Sequence, residues 1–438
     1  MSGRLRFPGG RPWIRASAWG LFLAPMFFGS YIAALELVAL REHVPTLVFA
    51  WERHIPFWAW TVVPYWSEDL FYALSLFVCL NREELDTHGL RLVLAQAIAV
   101  PVFLLFPLRL TSTVPADTGL FQPWFDALGD VVGKPYNLAP SLHIAIVLIL
   151  GALYIRHVPW PWRSLVNVWG FLIGLSTLTA YQHHFFDIPT GAMLGMFCIW
   201  ALPFEGVSPL RRFRWERGAP RLAAVYAGGA SVLTVLAPWL GGAAWWLWWP
   251  AQSLWLVSLA YLGLGSGLFG KSAEGRMPLP TQVLLWPYLL GARVSAAAFT
   301  RGRPMSEVVP GVMLGRVADA RPELAVLDLT AELPAPSHPD WHCLPTLDLV
   351  APDPGLLAEA ADHIAERVAA GRPILVACAL GYSRSAAAVC TWLVGSGRAV
   401  DLRAAVELVE RARPQVVLHD AQLRAISAAL DLRRREAA

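Results

Sequence analysis

Charged residues and cysteines are both scarce in this sequence of 438 residues. Only 15% of the residues are charged and 56% are hydrophobic, whereas soluble globular proteins average about 25% charged and about 45–50% apolar. This composition excludes a disordered chain and a protein that is soluble throughout. The formal net charge of +3, without a dense Lys/Arg stripe, argues against a nucleic-acid surface. Five cysteines form an odd and sparse set that does not describe a disulfide framework.

The scarcity of charge is uneven along the chain. Lys271–Ala438 contains 36 charged residues among 168, whereas the preceding 270 residues contain only 31. The first part is therefore predicted to be embedded in lipid and the second to be a soluble domain of ordinary size. The boundary is expected near Gly270–Pro280, where Gly, Lys, Arg and Pro replace apolar residues.

Eight mostly apolar stretches are candidates to cross a bilayer, which takes about 20 residues. The first follows an arginine-rich start and is too long for a signal-peptide core, so we expect a retained anchor. A further stretch, Thr281–Ala298, contains Arg293 and Pro287 and is predicted to be an interfacial helix. The predicted spans are Ala18–Leu40, Phe57–Leu80, Leu92–Leu110, Pro140–Ile155, Leu165–Tyr181, Ile188–Pro203, Leu222–Leu240 and Ala244–Phe269.

Arginines indicate the orientation, because short cytoplasmic loops carry an excess of Lys and Arg. If the N-terminus, with Arg4 and Arg6, lies in the cytoplasm, the arginine-rich segment around Arg217 lies there as well. The outer loops contain fewer cations. Eight spans then return the chain to the cytoplasm just before Lys271, so we expect a multi-pass inner-membrane protein with both termini in the cytoplasm. The cysteines after Lys271 would stay reduced there.

The strongest local pattern is the run Ile374-Leu-Val-Ala-Cys378-Ala-Leu-Gly381-Tyr-Ser-Arg384-Ser385, followed by an Ala-rich helical pattern. An apolar strand leads into a short loop that opens a helix, so backbone N–H groups converge on an anion. The same field favours the reactive thiolate form of Cys378. Arg384 adds a planar fork for two oxygens of one phosphate, Gly381 allows the sharp turn, and Ser385 can donate to the thiolate.

The spacing C-x-x-G-x-x-R-S resembles the signature of the cysteine-dependent protein tyrosine phosphatases, in their dual-specificity subgroup. The resemblance implies that Cys378 is the nucleophile, that Arg384 and the loop N–H groups hold the phosphoryl oxygens, and that Asp348 protonates the leaving oxygen. A phosphocysteine intermediate would then be hydrolysed. The resemblance extends over about Val309–Leu430. The segments that carry it are Val312–Arg316, Val326–Leu329, Leu344–Asp348 and Val409–Gln422.

The sequence departs from this family at one position and leaves two assignments open. The family usually has His before the nucleophile, where this chain has Ala377, which predicts a weaker or differently tuned enzyme. Asp353 lies in the same Pro-rich loop and is the alternative to Asp348 as general acid. Cys343 and Cys390 are expected to be packing residues, with a redox disulfide to Cys378 as the alternative.

Polar clusters also interrupt the hydrophobic part, and under the predicted topology they lie near its outer face. Ionisable residues at membrane depth are costly and therefore candidates for function. His183 and Asp187 are four residues apart and share one face of a helical turn, so Asp187 can orient His183 as a nucleophile. His143 is a candidate to protonate the leaving oxygen. Arg109, Lys134 and Ser141 are candidates to bind phosphate oxygens; His184 competes with His183.

The segments Pro140-Ser-Leu-His143 and His183-x-x-x-Asp187 resemble two motifs of the type 2 phosphatidic acid phosphatase superfamily. The resemblance extends over roughly Ala18–Pro203 and implies a six-helix core. The first motif of the hydrolases is reduced to Arg109, and the Arg expected before His183 is absent at Ser176-Thr177. Those departures resemble the branch containing inositol phosphorylceramide and sphingomyelin synthases, which leaves hydrolysis and head-group transfer both open.

Taken together, the sequence predicts an α-helical multi-span membrane domain followed by an α/β cysteine-dependent phosphatase domain. The six-helix phosphatidic acid phosphatase-like domain is expected over residues 1–205, two further spans and a linker over 206–280, and the phosphatase over 281–438. Expected substrates are phospholipid or sphingolipid phosphate esters outside, and a phosphoprotein or phosphoinositide inside. Neither mechanism requires a metal or an organic cofactor. The rival interpretation makes the membrane part a non-catalytic anchor.

Overall fold

A computed structural model describes residues 11–132, 134–215 and 218–437. Arg4, Arg6 and Arg217, which contribute to the predicted orientation, lie outside these residues. The chain forms two compact units, the first running to Ser208 and including Gly241–Ala243, and the second containing Pro209–Leu240 and Ala244–Ala438.

The first unit consists of helices. Their bounds are α1 Trp13–Ala39, α2 Val62–Val78, α3 Arg82–Leu105, α4 Gln122–Val132, α5 Leu142–His157, α6 Trp160–Thr179 and α7 Asp187–Ala201. Helix α3 begins ten residues before the predicted span because Asn81 caps it by accepting the Glu84 N–H at 2.9 Å. Its charged first turn therefore belongs to the same helix as the apolar stretch.

Helices α5 and α7 approach each other closely because two glycines of α7 face α5. A Cβ on Gly191 would lie 2.4 Å from the carbonyl oxygen of Ser141, and one on Gly195 would lie 2.8 Å from that of Ala145. Any larger residue at Gly191 would push the start of α5 away from the start of α7. This contact brings the Pro140–His143 segment next to the His183–Asp187 segment.

The second unit begins with helices and continues into an α/β layer. Its helices are α8 Pro220–Leu240, α9 Trp248–Leu259, α10 Leu279–Phe299, α11 Pro354–Ala369, α12 Arg384–Gly395, α13 Leu402–Ala412 and α14 Asp420–Ala437. Its strands are β1 Ser306–Val309, β2 Val312–Arg316, β3 Ala325–Thr330, β4 Trp341–Thr346 and β5 Ile374–Cys378. The predicted closing run Val409–Gln422 spans the end of α13, a loop and the start of α14, because Pro414 cannot continue a helix.

The strand order is β1-β2-β5-β3-β4, with β1 antiparallel to β2 and the other neighbours parallel. Strand β5 is central and buried along its whole length. Its side chains alternate between two cores: Ile374, Val376 and Cys378 pack with α11–α14, whereas Leu375 and Ala377 face the core on which Ala292 of α10 packs. Cys378 thus lies at the carboxyl end of the middle strand of the sheet.

Among the residues that the structure describes, four helical segments are long and apolar enough to cross a membrane: α1, α3, α8 and Gly242–Phe269, which contains α9. Helices α5 and α7 are apolar but shorter. These segments are compatible with a membrane protein, and the count of eight spans stays a prediction. The apolar stretch predicted to be interfacial forms helix α10, one side of which packs on the sheet.

Lys271 connects the segment after Gly242–Phe269 to the middle of the sheet. Its Nζ lies 2.5 Å from Asp328 Oδ2 in β3 and donates to the Thr330 carbonyl oxygen at 2.9 Å, with no solvent exposure of either charged side chain. Two backbone hydrogen bonds follow, from Cys343 N–H to the Ala273 oxygen and from Ala335 N–H to the Gly275 oxygen. Because a buried charge is costly unless it is paired, this ion pair fixes the linker onto the sheet.

Candidate functional site

Cys378 lies at the point where β5 ends and the loop to α12 begins. Its Sγ accepts two hydrogen bonds, from the Gly381 backbone N–H at 3.2 Å and from Ser385 Oγ at 3.2 Å. Both donors stabilise a thiolate more than a thiol, and the thiolate is the nucleophilic form. The structure therefore brings together three residues that the sequence predicts to be in one site.

Gly381 is required at its position by two features of the loop. Its φ of 71° lies in the left-handed region, and a Cβ would lie 2.6 Å from the carbonyl oxygen of Gly315 in β2. Any other residue would therefore both strain the backbone and collide with the neighbouring strand. The loop turns tightly enough for the Gly381 N–H to point back at Cys378 Sγ.

The Arg384 guanidinium is buried and held in a fixed orientation. It forms a bidentate pair with Glu332, with Nη1 3.0 Å from Oε2 and Nη2 2.6 Å from Oε1, and it also donates to the Thr346 oxygen at 3.0 Å. Although burial alone would lower the pKa of Arg384, the Glu332 carboxylate raises it well above its usual value. Burial would likewise raise the pKa of Glu332, but the charge of Arg384 keeps it below its usual range. The site thus contains a permanent, oriented cation.

Asp348 is placed beside this cation by the chain that leaves β4. Its Oδ1 lies 3.2 Å from Arg384 Nη2, and its side chain is 41% exposed. Its backbone oxygen accepts a hydrogen bond from the Tyr261 hydroxyl at 3.0 Å. Asp353, the alternative general acid, instead caps helix α11 by accepting the Gly355 N–H at 2.9 Å. The geometry therefore favours Asp348 over Asp353.

Cys343 and Cys390 occupy packing positions. All five cysteines are free thiols and buried. Burial raises the pKa of Cys343 to about 12, with the nearby Asp328 adding to the effect, and burial raises that of Cys390 to about 12 as well. Both side chains therefore remain protonated thiols at neutral pH, as packing residues would.

His183 joins the two motifs of the membrane part. Its Nδ1 lies 3.1 Å from Asp187 Oδ2, and its Nε2 lies 3.1 Å from Ser141 Oγ. The ring of His143 approaches that of His183, with centroids 6.0 Å apart. Asp187 thus orients one ring nitrogen while the other faces Ser141, and all four residues are brought together as the sequence predicts.

The neighbouring imidazoles have carboxylate partners of their own. His184 Nδ1 lies 3.1 Å from Glu52 Oε2, and its Nε2 accepts the Thr111 backbone N–H at 3.1 Å. His143 Nε2 lies 3.5 Å from Glu68 Oε2. Both imidazoles have a carboxylate at Nδ1, but Nε2 of His184 accepts a backbone N–H, whereas Nε2 of His183 contacts a hydroxyl group, which can rotate. The His184 ring is therefore the less available of the adjacent pair as a nucleophile.

A cavity of about 480 Å³ opens beside His183 and His184. Its walls include His183, His184, Glu52 and the exposed Arg53. Of the two cations predicted to bind phosphate here, Lys134 forms an ion pair with Glu36, and the exposed Arg109 donates its backbone N–H to the Pro45 oxygen. In the structure, the cation that lines the cavity is therefore Arg53 rather than either predicted residue.

Sequence reasoning missed three charged residues that complete the two sites. Glu332 follows a predicted buried strand, and an acidic residue at the carboxyl end of a strand next to the Cys378 loop is a usable signal. Glu52 and Arg53 lie in a short 3-10 helix, Ala50–His54, between two apolar stretches. Nothing in their local pattern distinguishes them from ordinary loop charges.

No protein family model and no curated protein matches this chain. Similarity to solved structures is found over less than a third of its length. The chain is similar to Tk-PTP in its active form (23% identity, 30% of this chain and 98% of that one, TM-score 0.25). It is similar to human DUSP28 (25% identity, 30% and 95%, TM-score 0.26). It is also similar to PTPMT1 in complex with PI(5)P (16% identity, 31% and 99%, TM-score 0.27).

Proposed function

We propose that the α/β part is a cysteine-dependent phosphomonoester hydrolase. The observation that carries this proposal is the arrangement around one sulfur atom: two donors on Cys378 Sγ, a buried Arg384 fixed by Glu332, and Asp348 3.2 Å from that arginine. Phosphate transfer to sulfur requires three groups, namely a thiolate, a forked cation and a carboxylic acid. All three lie at one end of the sheet.

The reaction proceeds in two steps at this site. Cys378 Sγ attacks phosphorus, forming an S–P bond as the P–O bond of the ester breaks, and Asp348 gives its proton to the departing oxygen. Arg384 and the loop N–H groups neutralise charge on the phosphoryl oxygens. Water then attacks phosphorus, with Asp348 accepting its proton, and releases inorganic phosphate and free Cys378. Ser385 stabilises the sulfur as it leaves.

Replacing the nucleophile tests this mechanism in the full-length protein in detergent, with para-nitrophenyl phosphate as substrate. Cys378→Ser is expected to remove the activity that depends on this site. The matched control is Cys79→Ser, because a serine hydroxyl keeps the hydrogen bond of Cys79 to the Ser75 oxygen. Retention of full activity by Cys378→Ser, measured in a His183→Ala background, overturns the proposal.

For the membrane part we propose a second phosphate-ester site, in which His183 attacks phosphorus, Asp187 orients it and His143 protonates the leaving oxygen. The contacts of His183 with Asp187 and Ser141, beside a cavity that Arg53 lines, support this assignment. Ser141 is the group nearest to the attacking nitrogen. The substrate class is a phospholipid or sphingolipid phosphate ester, and the predicted orientation places the site on the outer face.

Proteoliposomes distinguish a lipid phosphatase, a head-group transferase and an inert anchor. Loss of lipid turnover in His183→Ala supports catalysis, whereas unchanged turnover supports an anchor. Appearance of the head group on an added alcohol lipid, in place of free phosphate, indicates transfer.

A further inference from the structure

Three tyrosines from three successive helices meet beside the Cys378 site. Tyr226 of α8 stacks on Tyr261, with ring centroids 5.2 Å apart and planes 10° apart, and it meets Tyr288 of α10 edge-on at 6.0 Å. We call Tyr226, Tyr261 and Tyr288 the tyrosine wall.

The tyrosine wall is carried by apolar helices that are long enough to cross a membrane. Tyr226 lies in the second turn of α8, and Tyr261 lies in the last part of Gly242–Phe269. Tyr261 is therefore near the end of its segment that leads to the α/β part, and the start of α8 lies beside it, since the Ala219 N–H donates to the Tyr261 backbone oxygen. Since tyrosine is favoured at membrane–water interfaces, the wall is placed where head groups lie.

One member of the wall contacts the predicted general-acid segment directly. The Tyr261 hydroxyl donates to the backbone oxygen of Asp348 at 3.0 Å. The next residue, Leu349, has a φ of 59° and is 66% exposed.

Helix α10 leads from the tyrosine wall to the Cys378 loop. Its last residue, Phe299, accepts a hydrogen bond from the hydroxyl of Tyr382, two residues before Arg384. Between Tyr288 and Phe299 the helix rises about 16 Å and completes about three turns, so both residues lie on the same side of it. The exposed Trp286 and Leu290 lie on the opposite side. The side of α10 that bears Tyr288 therefore connects the wall to the loop.

We propose that the Cys378 site acts on a phosphate monoester carried by the head group of a membrane lipid, which the tyrosine wall receives. Tyr226 and Tyr288 are half-buried and offer aromatic faces and hydroxyl groups to a hydroxylated head group. Tyr261 is a positioning residue, since its hydroxyl holds the backbone of Asp348. A soluble phosphoprotein would have to reach the same loop past the exposed apolar side chains of Phe299 and Leu349.

The proposal rests on the phosphomonoesterase function proposed above and follows the same bond changes. The P–O bond of the lipid phosphate breaks as the S–P bond to Cys378 forms, and the lipid oxygen leaves as an alcohol with the Asp348 proton. Water then releases inorganic phosphate, so the lipid alcohol remains in the membrane.

Substrate preference is tested with the full-length protein in phosphatidylcholine vesicles, in a His183→Ala background that silences the second site. The probes are a long-chain phosphatidylinositol monophosphate, phosphatidic acid, the water-soluble glycerophosphoinositol monophosphate and a phosphotyrosine peptide. We expect kcat/KM for the phosphoinositide to exceed that for its soluble counterpart by about tenfold or more, because remote binding energy contributes to kcat/KM. If activity is higher on phosphatidic acid, the substrate is still a lipid but needs no hydroxylated head group. That result would overturn the role of the tyrosine wall.

The outcomes separate this proposal from the one on which it rests. If para-nitrophenyl phosphate hydrolysis requires Cys378 but the phosphotyrosine peptide is the better substrate, the lipid proposal is wrong and the phosphatase function stands. If that hydrolysis is independent of Cys378, the phosphatase function itself is wrong.

The role of Tyr261 is tested by the leaving group. Tyr261→Phe removes the hydroxyl that holds Asp348, so kcat for the lipid alcohol, which needs protonation, is expected to fall about threefold to tenfold more than kcat for para-nitrophenyl phosphate. The matched control is Tyr154→Phe, which removes another hydroxyl bonded to a backbone oxygen, that of Phe71. Equal losses on both substrates would assign Tyr261 a purely structural role and contradict positioning.

Discussion

The two candidate sites pair their buried charges in different ways. In the α/β part the cations are permanent: Arg384 is paired with Glu332 and Lys271 with Asp328. In the site of the membrane part, the carboxylates of Asp187 and Glu52 instead face the imidazoles of His183 and His184. Arginine is charged at every physiological pH, whereas an imidazole is not a permanent cation. The first site thus holds a fixed positive charge before an anion binds, whereas these two pairs of the second site contain no permanent cation.

A large loss of rate is expected in the α/β part from altering the permanent cation. Arg384→Lys keeps the charge but loses the planar fork that contacts Glu332, so kcat/KM for para-nitrophenyl phosphate should fall about 10²–10³-fold. Arg398→Lys, on an exposed arginine stacked over Trp392, is the control and should not change the rate. A loss below tenfold would mean that a point charge is sufficient.

The imidazole site is expected to separate its two adjacent histidines. His183→Ala should reduce lipid turnover in proteoliposomes by about 10²–10⁴-fold, the range for loss of a catalytic proton-transfer or nucleophilic group. His184→Ala should have a smaller effect, because its Nε2 already accepts the backbone N–H of Thr111, whereas Nε2 of His183 contacts the rotatable hydroxyl of Ser141. The reverse ranking would exchange their roles.

Breaking the second permanent pair tests stability rather than rate. Lys271→Met leaves Asp328 buried without its cation, which should cost about 3–5 kcal/mol, measured as a lower unfolding temperature of the full-length protein in detergent. The double variant Lys271→Met with Asp328→Leu should recover most of that loss, since both charges are removed together. Equal destabilisation by the single and double variants would deny the coupling.

The smallest effect is a pH dependence of the Arg384–Glu332 pair. Because Arg384 holds the pKa of Glu332 below its usual value despite burial, the pair stabilises the fold fully above the pKa of an unfolded glutamate, about 4.3, and loses this contribution as the pH falls through the lower folded value. The stability difference between the wild type and Glu332→Gln should therefore shrink in that acidic range. If the stability difference between the two proteins instead grows on acidification, the ionised pair does not stabilise the fold in the way described.

The local part of the Cys378 site is predictable from sequence, and the distant part is not. Strand, loop and helix are consecutive, so the spacing of Cys378, Gly381 and Arg384 fixes their relation. Glu332 lies 52 residues before Arg384 and reaches it only through the parallel pairing of β3 with β5. That pairing depends on tertiary structure, which no short motif encodes.

The membrane part shows the same limit. His183 lies in the loop before α7 and Asp187 is the first residue of that helix, so the entry into the helix, and not one helical turn, brings the two side chains together. Arg109 and Lys134 are the cations that the sequence predicts as phosphate ligands, and Lys134 pairs with Glu36 instead. The Tyr261 contact with Asp348 joins residues 87 apart and has no signature in either segment.

The hydrogen bonds between residues 273–275 and the sheet have a practical consequence for handling the α/β part. Strand β4 has a sheet neighbour on one side only, and Ala273 occupies part of its other side. In a fragment that starts at residue 281, this strand would be open to pairing with another molecule. Such a fragment would also lack Lys271, the partner of Asp328. Such unprotected edges promote aggregation. A fragment beginning before Lys271 should remain monomeric at concentrations where the shorter one precipitates.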